Sequence, residues 1–276
     1  MKLGVYSLVT PDYRIDEAAD LVAEIGYDAI EWTIDYTRAV WDGESKWHIV
    51  TDDMEATTRK CREAAERNGL VTAGLGTRCN CLDLDGVRVC MEAAQRVGSP
   101  GIRVSVPRYD GKTHHDELFE QARKGYAEVE KLAKETGVKG LIETHFGLIT
   151  ATASATARVL DGLDPECVGV LYDPGNMVHE GHEQYKMGME MLRPYLHHVH
   201  AKNAGWVRKD GKWVCEHMSL QDGFVDWPAV FDALKEVGYE GYIDIEDFRG
   251  GYACKPVGIT TRDKLQEDFD YLTSLL

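Results

Sequence analysis

Acidic and histidine side chains recur at the ends of short apolar segments along the chain. Glu143 follows the run GLI, Asp173 follows VGVLY, His200 lies in LHHVHAK and Glu246 follows GYIDI. Charged residues are rare inside strands and are costly to bury without a partner. Three carboxylates that met without a cation would repel one another and raise each other's pKa. If the four side chains converge, they predict a divalent metal site; the alternative is four polar side chains satisfied by ordinary hydrogen bonds.

The types of donor atom indicate which metal such a site would prefer. Three carboxylate oxygens and one imidazole nitrogen favour Mn²⁺, with Mg²⁺, Co²⁺ or Zn²⁺ as alternatives, and do not suit a thiolate zinc site. The seven cysteines include no C-x-x-C pair, which is typical of reduced thiols. With no signal peptide or membrane anchor recognisable in the first residues, the sequence predicts a cytoplasmic protein without a membrane partner.

Eight apolar segments rich in Val, Ile and Tyr alternate with amphipathic segments that have helical spacing. The predicted strands are residues 3–8, 29–34, 71–76, 101–106, 140–145, 168–173, 196–203 and 241–247. Strands joined by crossover helices form parallel sheets, so eight units in 276 residues predict a single (β/α)8 TIM barrel over residues 1–276. A doubly wound sheet is the alternative, but the first turn, LVTPDYR, has no G-x-G-x-x-G. Alternation around Asp210-Gly211 predicts a small hairpin insertion at about residues 205–217.

Alternation along the strands predicts which polar side chains face the barrel interior. Glu143, Asp173, His200 and Glu246 are sent inward at the carboxyl ends of the strands, where barrel active sites lie. His198 shares the face of His200, whereas the neighbouring His197 takes the helix-facing side and is expected to be packing.

Several further side chains are candidates for roles beside the metal. His145 is predicted to act as an acid or base, or to support the metal site through a hydrogen bond. Lys202 would bind a substrate oxygen, or pair with Asp244 or Glu246. The remaining candidates for substrate contacts are Glu31, Arg103, Asn176, His179 and Trp206.

Two of these assignments carry open alternatives. Glu31 and Arg103 would line the pocket floor or pair with each other, and His179 would lie at the pocket rim. Trp206 and Trp213 would form an apolar wall against a sugar ring or a contact between protomers of a homo-oligomer. Aromatic residues of the segment after the second strand would cover the same mouth: Tyr36, Trp41 and Trp47.

The charge of the chain limits its partners. The net charge is −16, from 31 Lys and Arg against 47 Asp and Glu. Such a surface repels phosphate backbones, which argues against a nucleic-acid partner. Because no Gly-rich phosphate cradle is visible either, the sequence favours a neutral sugar, keto-sugar or cyclitol as the small-molecule substrate.

The chain resembles the sugar phosphate isomerase/epimerase group of the xylose isomerase-like TIM barrels. The motifs that carry this resemblance, in chain order, are KGLIETHFGLITATASATARVL, VGVLYDPGNMVHEG, HHVHAKNAGW and GYIDIED. The resemblance implies that Glu143, Asp173, His200 and Glu246 hold one divalent metal. It also implies that Glu143 and Glu246, one on each side of a bound sugar, are the acid/base groups. The expected reaction is isomerisation or epimerisation by proton abstraction next to a carbonyl, through a metal-stabilised enediolate.

Departures from the family's pattern keep other reactions open. The ketose 3-epimerase branch commonly has Glu, His and Arg where this chain has Ile149, Asn176 and Trp206, so a plain ketose 3-epimerase is not expected. The main alternative is a metal-dependent lyase or dehydratase acting on a keto-sugar, keto-glycoside or inosose at the same site. Two other functions rank lower: an apurinic-site endonuclease and a non-catalytic sugar-binding protein. The endonuclease needs a His-rich multi-zinc centre and a basic DNA face.

Overall fold

The fold is a closed barrel of eight parallel strands surrounded by helices. The computed structural model describes residues 1–35, 48–250 and 258–276. The strands follow one another around the barrel in the order β1-β10-β7-β6-β5-β4-β3-β2, which confirms the predicted (β/α)8 TIM barrel. The barrel strands are β1 (Lys2–Tyr6), β2 (Ala29–Thr33), β3 (Val71–Gly76), β4 (Gly101–Arg103), β5 (Lys139–Glu143), β6 (Val168–Tyr172), β7 (Leu196–Ala201) and β10 (Tyr242–Ile245).

The helices pack their apolar faces on the outside of this barrel. In the first helix, Ala18, Leu21, Val22 and Ile25 are buried at three- and four-residue spacing, and the helix ends at Gly26 in the left-handed conformation. The helices are α1 (Ile15–Ile25), α2 (Met54–Arg67), α3 (Leu84–Val97), α4 (His115–Thr136), α5 (Ala153–Leu160), α6 (Pro174–Glu180), α7 (Tyr185–Leu192), α8 (Trp227–Glu236) and α9 (Thr261–Thr273).

Several strands end earlier than the apolar pattern predicts, because the chain turns at the carboxyl end of the barrel. β1 ends at Tyr6, where a 3-10 turn over Ser7–Val9 follows. β4 ends at Arg103, and Ser105 then forms a separate parallel bridge with Asn80 of the preceding loop. The residues after these strands therefore belong to loops that surround the barrel mouth.

A two-stranded hairpin follows β7 directly. Its strands, β8 (Asn203–Lys209) and β9 (Lys212–Met218), pair antiparallel around Asp210-Gly211, whose positive φ angles of 48° and 79° suit a two-residue turn. The indole N–H of Trp206 donates to the carbonyl of Val178 on α6 at 3.0 Å, which ties the hairpin to the helix after β6.

Two further observations complete the architecture. Among the helices of the described ranges, none has the length and apolar character that a membrane span requires. The predicted aromatic cover of Tyr36, Trp41 and Trp47 lies outside the described residues.

Candidate active site

Four acidic and histidine side chains converge at the carboxyl end of the barrel. Glu143 is the last residue of β5, Asp173 follows β6 as the N-cap of α6, His200 lies in β7, and Glu246 follows β10. All four are buried, and one donor atom from each lies within 4.8 Å of the others. The four positions proposed as metal ligands are therefore brought together by four neighbouring strands.

The contacts of the His200 imidazole indicate whether a metal fits this cluster. Its Nδ1 atom is buried without a hydrogen-bond partner, 3.7 Å from Glu143 Oε1 and 3.6 Å from Glu246 Oε2. Its Nε2 atom lies 2.6 Å from Glu31 Oε2. When Nε2–H donates to Glu31, the lone pair of Nδ1 faces two carboxylates, and a shared cation relieves that arrangement. The residues present thus fit a divalent metal.

Two basic side chains partly neutralise the three carboxylates of the cluster. Lys202 Nζ lies 2.8 Å from Asp173 Oδ2 and also contacts Glu246 Oε2. Arg103 Nη1 lies 2.7 Å from Glu143 Oε2. Burial raises the pKa of Asp173 to about 7, although the Lys202 ammonium opposes this. When all three carboxyl groups are ionised, they exceed these two cations by one negative charge, and a bound divalent cation would favour that ionised form.

Asn176 holds two of the carboxylates in place. Its side-chain amide donates to Glu143 Oε1 at 3.0 Å and to Asp173 Oδ2 at 2.7 Å. The side chain is fully buried and is not among those that line the cavity described below. From the first turn of α6, Asn176 therefore orients the carboxylates of Glu143 and Asp173. This position does not favour the substrate contact predicted for it.

A second polar layer lies beneath the cluster. His198 Nε2 is 3.4 Å from Glu31 Oε2 and 3.0 Å from Asp244 Oδ2, and all three side chains are buried. Burial raises the pKa of Glu31, but the adjacent His200 and His198 lower it to about 2 overall. The predicted pairing of Glu31 with Arg103 is wrong: Glu31 faces the two histidines, whereas Arg103 reaches across to Glu143.

A cavity of about 480 Å³ reaches the cluster at Glu246, which is part of its lining. Of the predicted site residues it is lined by Arg103, His145, Lys202 and Glu246. His145 Nδ1 donates to the carbonyl of Phe146 at 2.8 Å, which leaves Nε2 as the acceptor nitrogen. Burial lowers the pKa of His145, so the neutral imidazole is favoured.

Beyond Glu31 and Asn176, two further predicted substrate contacts do not line the cavity. His179 stacks behind Phe146, with ring centroids 4.1 Å apart and planes 17° apart. Trp206 is 48% exposed and is engaged with Val178. Trp213, the other half of the predicted apolar wall, is 65% exposed.

Other residues of the cavity were not singled out by the sequence. Tyr6 stacks on His200 with ring centroids 5.1 Å apart, and a side chain at Gly76 would clash with its ring. Tyr6 ends β1, so the rule of polar side chains at strand ends could have found it. Arg78 and Arg108 also line the cavity, but they follow β3 and β4 in loops, where strand alternation makes no prediction.

Comparison with known proteins gives the family of the chain. A family model described as a xylose isomerase-like TIM barrel matches residues 19–275. The chain belongs to this family. The predicted resemblance to the xylose isomerase-like barrels is thereby confirmed.

Individual relatives are more distant. An inosose dehydratase of Clostridium perfringens is 26% identical over 183 residues, which cover 60% of this chain and 59% of the relative. The chain thus matches less than two thirds of the length of this curated relative.

Solved structures share the fold. The apo form of 3-keto-D-glucoside 4-epimerase, YcjR, from E. coli has a TM-score of 0.71 at 18% identity, covering 100% of this chain and 98% of that one. The IOLI protein with a binding zinc atom has a TM-score of 0.75 at 16% identity, with coverage of 100% and 98%.

Proposed function

We propose that the protein is a divalent-metal-dependent isomerase or epimerase of a sugar or cyclitol, acting by removal of the proton next to a carbonyl. The observation that carries this proposal is the meeting of Glu143, Asp173, His200 and Glu246 within 4.8 Å, with Glu246 lining a cavity at the barrel mouth. A divalent cation held by these four side chains supplies Lewis acidity, which makes the proton beside a bound carbonyl removable. The oxygen-rich donor set favours Mn²⁺, with Mg²⁺, Co²⁺ or Zn²⁺ as alternatives.

The acid/base work is assigned to the two glutamates. Glu246 lines the cavity, so its carboxylate has direct access to a substrate proton. Glu143 is held at one oxygen by Asn176 and at the other by Arg103, which fixes its orientation on the neighbouring side of the cluster. One glutamate, as the carboxylate, takes the proton, and the other, as the carboxylic acid, returns one. Return to the same carbon inverts it, whereas return to the adjacent carbon exchanges ketose and aldose.

His145 is the second candidate for proton transfer. Its neutral imidazole lines the cavity, with Nδ1 occupied by the Phe146 carbonyl and Nε2 available. A proton accepted at Nε2 can be delivered to a substrate oxygen. The two glutamates would then need to transfer protons only at carbon in the same turnover.

A dehydratase is the second candidate function. Curated relatives that cover about three fifths of this chain are named inosose dehydratases. The same cavity holds Lys202, whose ammonium can protonate a departing hydroxyl, and His145, whose Nε2 would first accept the proton removed from carbon and then deliver it to that hydroxyl. The hydroxyl on the carbon next to the deprotonated one would then leave as water, and this loss would replace the return of a proton.

The partners and location belong to the same proposal. We expect a small-molecule sugar or cyclitol, no nucleic acid and no membrane partner, in agreement with the net charge of −16. A cytoplasmic location and a homo-oligomer are predictions that cell fractionation and analytical ultracentrifugation test.

The two candidate reactions are separated by one screen. Ketoses, 3-keto-glycosides and inososes are incubated with Mn²⁺-loaded protein in D2O and followed by NMR and mass spectrometry. An isomerase or epimerase incorporates deuterium beside the carbonyl and gives a product whose covalent formula is otherwise unchanged. A dehydratase gives a product that lacks water. Turnover without deuterium incorporation in any product contradicts proton abstraction, and Glu246→Gln is the inactive control.

A further inference from the structure

We propose that helix α6 positions the imidazole of His145 for proton transfer, and that His179 and Glu180, at the carboxyl end of this helix, are the positioning residues. His179 acts through a stack of aromatic rings, and Glu180 acts through the backbone of the loop that carries His145. The inference deepens the proposed function, on which it rests for the role of His145 as an acid or base.

Three rings are joined by stacking at the wall of the cavity. The rings of His145 and Phe146 have centroids 4.5 Å apart and planes 26° apart. Phe146 also stacks on His179, with centroids 4.1 Å apart and planes 17° apart. Aromatic rings in contact favour particular relative orientations, so each ring restricts the next. His179 therefore limits the movement of Phe146, and Phe146 limits that of His145.

A hydrogen bond within the same loop selects the tautomer of His145. Its Nδ1–H group donates to the carbonyl of Phe146 at 2.8 Å, which leaves Nε2 unprotonated. The backbone around the ring forms a turn, because His145 N–H donates to Thr150 O and Leu148 N–H donates to His145 O, each at 3.3 Å. The direction of Nε2 therefore depends on the conformation of residues 145–148.

The carboxylate of Glu180 holds the backbone of this loop. Gly147 N–H donates to Glu180 Oε2 at 2.6 Å, and a hydrogen bond to an ionised acceptor is stronger than one between neutral groups. The loop after β4 holds the same residue, because Tyr109 N–H donates to Gly147 O at 3.2 Å. Gly147 has a φ of +73°, which favours glycine. Its position is thus determined by α6 and by the loop after β4 together.

The amino end of α6 is fixed at the cluster of metal-ligand candidates. Asp173, the N-cap, accepts from Asn176 N–H at 2.9 Å, and the side-chain amide of Asn176 joins Asp173 to Glu143. Farther along the helix, Val178 O accepts from the indole of Trp206 at 3.0 Å. The helix has seven residues and is about 10 Å long, so its two ends move together. It therefore links the cluster to the loop that carries His145.

Proton transfer requires such support because His145 lies beyond the end of its strand. β5 ends at Glu143, so the barrel ladder does not fix the residues that follow. A displacement of about 1 Å can cost about 10²-fold in rate. Among the described residues, the lining of the cavity includes His145 and Phe146 but neither His179 nor Glu180. The two residues of α6 thus act through the loop and not by touching a substrate.

The first test measures the tautomer of His145, which requires no turnover. Protein labelled with ¹⁵N at histidine is loaded with diamagnetic Mg²⁺ and studied by long-range ¹H–¹⁵N NMR, and the signals of His145 are those missing from His145→Gln. We expect the Nδ1–H tautomer in the unmodified protein. His179→Leu and Glu180→Ala should convert it to the Nε2–H tautomer or to an average of the two. His179→Phe keeps a ring in the stack and should retain the original tautomer.

The second test measures deuterium exchange with the substrate that the screen above identifies. His179→Leu and Glu180→Ala should lower kcat by about 10- to 100-fold, while KM and the affinity for Mn²⁺ stay within about twofold. In a His145→Gln background, His179→Leu should cause no further loss, because its effect passes through His145. This dependence distinguishes positioning of His145 from a general effect on structure.

The matched control is His182→Leu. His182 is an exposed histidine shortly after α6, and its ring contacts Tyr185 and Phe224 with centroids 5.5 Å and 5.2 Å apart. Its replacement should change neither the tautomer of His145 nor turnover. Circular dichroism and thermal unfolding verify that all variants fold.

The outcomes separate this inference from the proposed function. An altered tautomer in His179→Leu and Glu180→Ala supports the inference even when no substrate is turned over, in which case the proposed function fails alone. An unchanged tautomer in either variant overturns the role given to that residue, whether or not the protein catalyses exchange. An Nε2–H tautomer in the unmodified protein also overturns the inference. The same holds for a loss of turnover that His179→Leu still produces in the His145→Gln background.

Discussion

The two sides of the barrel mouth differ in charge and in construction. On one side, Glu143, Asp173, His200 and Glu246 project from the ends of β5, β6, β7 and β10 and are buried. On the other, Arg78 and Arg108 project from the loops after β3 and β4 and reach a cavity open to solvent. The Arg103–Glu143 ion pair joins the two sides.

This difference indicates a division between reaction and recognition. Side chains on strand ends are fixed by the barrel itself, which suits groups that must hold a metal and move protons at defined positions. Side chains on loops can differ among barrels of one architecture without disturbing the strands. Changes on the acidic side should therefore reduce turnover or metal binding.

The largest effect is expected from Glu246→Gln. Loss of this carboxylate removes an acid/base group that lines the cavity, so deuterium exchange at saturating Mn²⁺ should fall by about 10²–10⁴-fold. The control is Glu236→Gln at the end of α8, whose partner is the exposed Lys186. Exchange at the wild-type rate in Glu246→Gln would remove Glu246 from the proposed mechanism.

Next in size is the effect of Lys202→Met on stability. Without its ammonium, the buried Asp173 and Glu246 lose their shared cation, and the free energy of unfolding in metal-free buffer should fall by about 3–5 kcal/mol. Added Mn²⁺ should restore part of this loss, because it supplies charge to the same carboxylates. Urea unfolding with and without Mn²⁺ measures both quantities.

The matched control for this variant is Lys186→Met, which breaks an exposed ion pair with Glu236 and should change stability by less than about 1 kcal/mol. A loss in Lys202→Met that Mn²⁺ leaves unchanged would argue against a metal at these carboxylates.

A smaller effect is expected from Glu31→Gln. The carboxylate of Glu31 accepts from His200 Nε2 and so orients Nδ1 toward the metal-ligand candidates. An outer carboxylate of this kind commonly contributes about 10- to 100-fold to metal affinity, and Mn²⁺ titration by calorimetry should show a loss of that size. Glu63→Gln, exposed on α2, serves as the comparison. Unchanged affinity in Glu31→Gln would show that the layer beneath the cluster does not support the metal.

The smallest effect is expected from Trp206→Phe, which keeps the aromatic ring but removes the hydrogen bond to Val178. The free energy of unfolding should fall by about 1 kcal/mol, with no rise in KM. Trp213→Phe, at the more exposed tryptophan, should change neither. A rise in KM for Trp206→Phe would instead support the apolar wall that the sequence predicts.

The sequence predicts the barrel and the position of the acidic side well, for a common reason. Side chains along β5 and β10 alternate between the barrel interior and the surrounding helices. A shift by one residue would exchange these two faces, so the buried sheet strongly favours one register. The same rule predicts that His197 faces away from His200. The helices after β5 and β6 are the hardest to predict from the sequence, because α5, α6 and α7 have only seven or eight residues each and offer few repeats of a helical pattern.

The side-chain partners were harder to predict. The pairing of Glu31 with His200 joins β2 to β7 across the barrel interior, and no spacing in the sequence encodes a contact between residues 169 positions apart. Arg78 and Arg108 follow strand ends in irregular loops, where neither alternation nor helical spacing indicates the direction of a side chain.

The loops that carry Arg78 and Arg108 are joined by hydrogen bonds between main-chain atoms. Main-chain hydrogen bonds do not depend on which side chain a residue bears, so we expect substitutions at these two positions to leave the geometry of the loops intact. The wall of the cavity can then change in side-chain chemistry while the four residues at the strand ends stay in place.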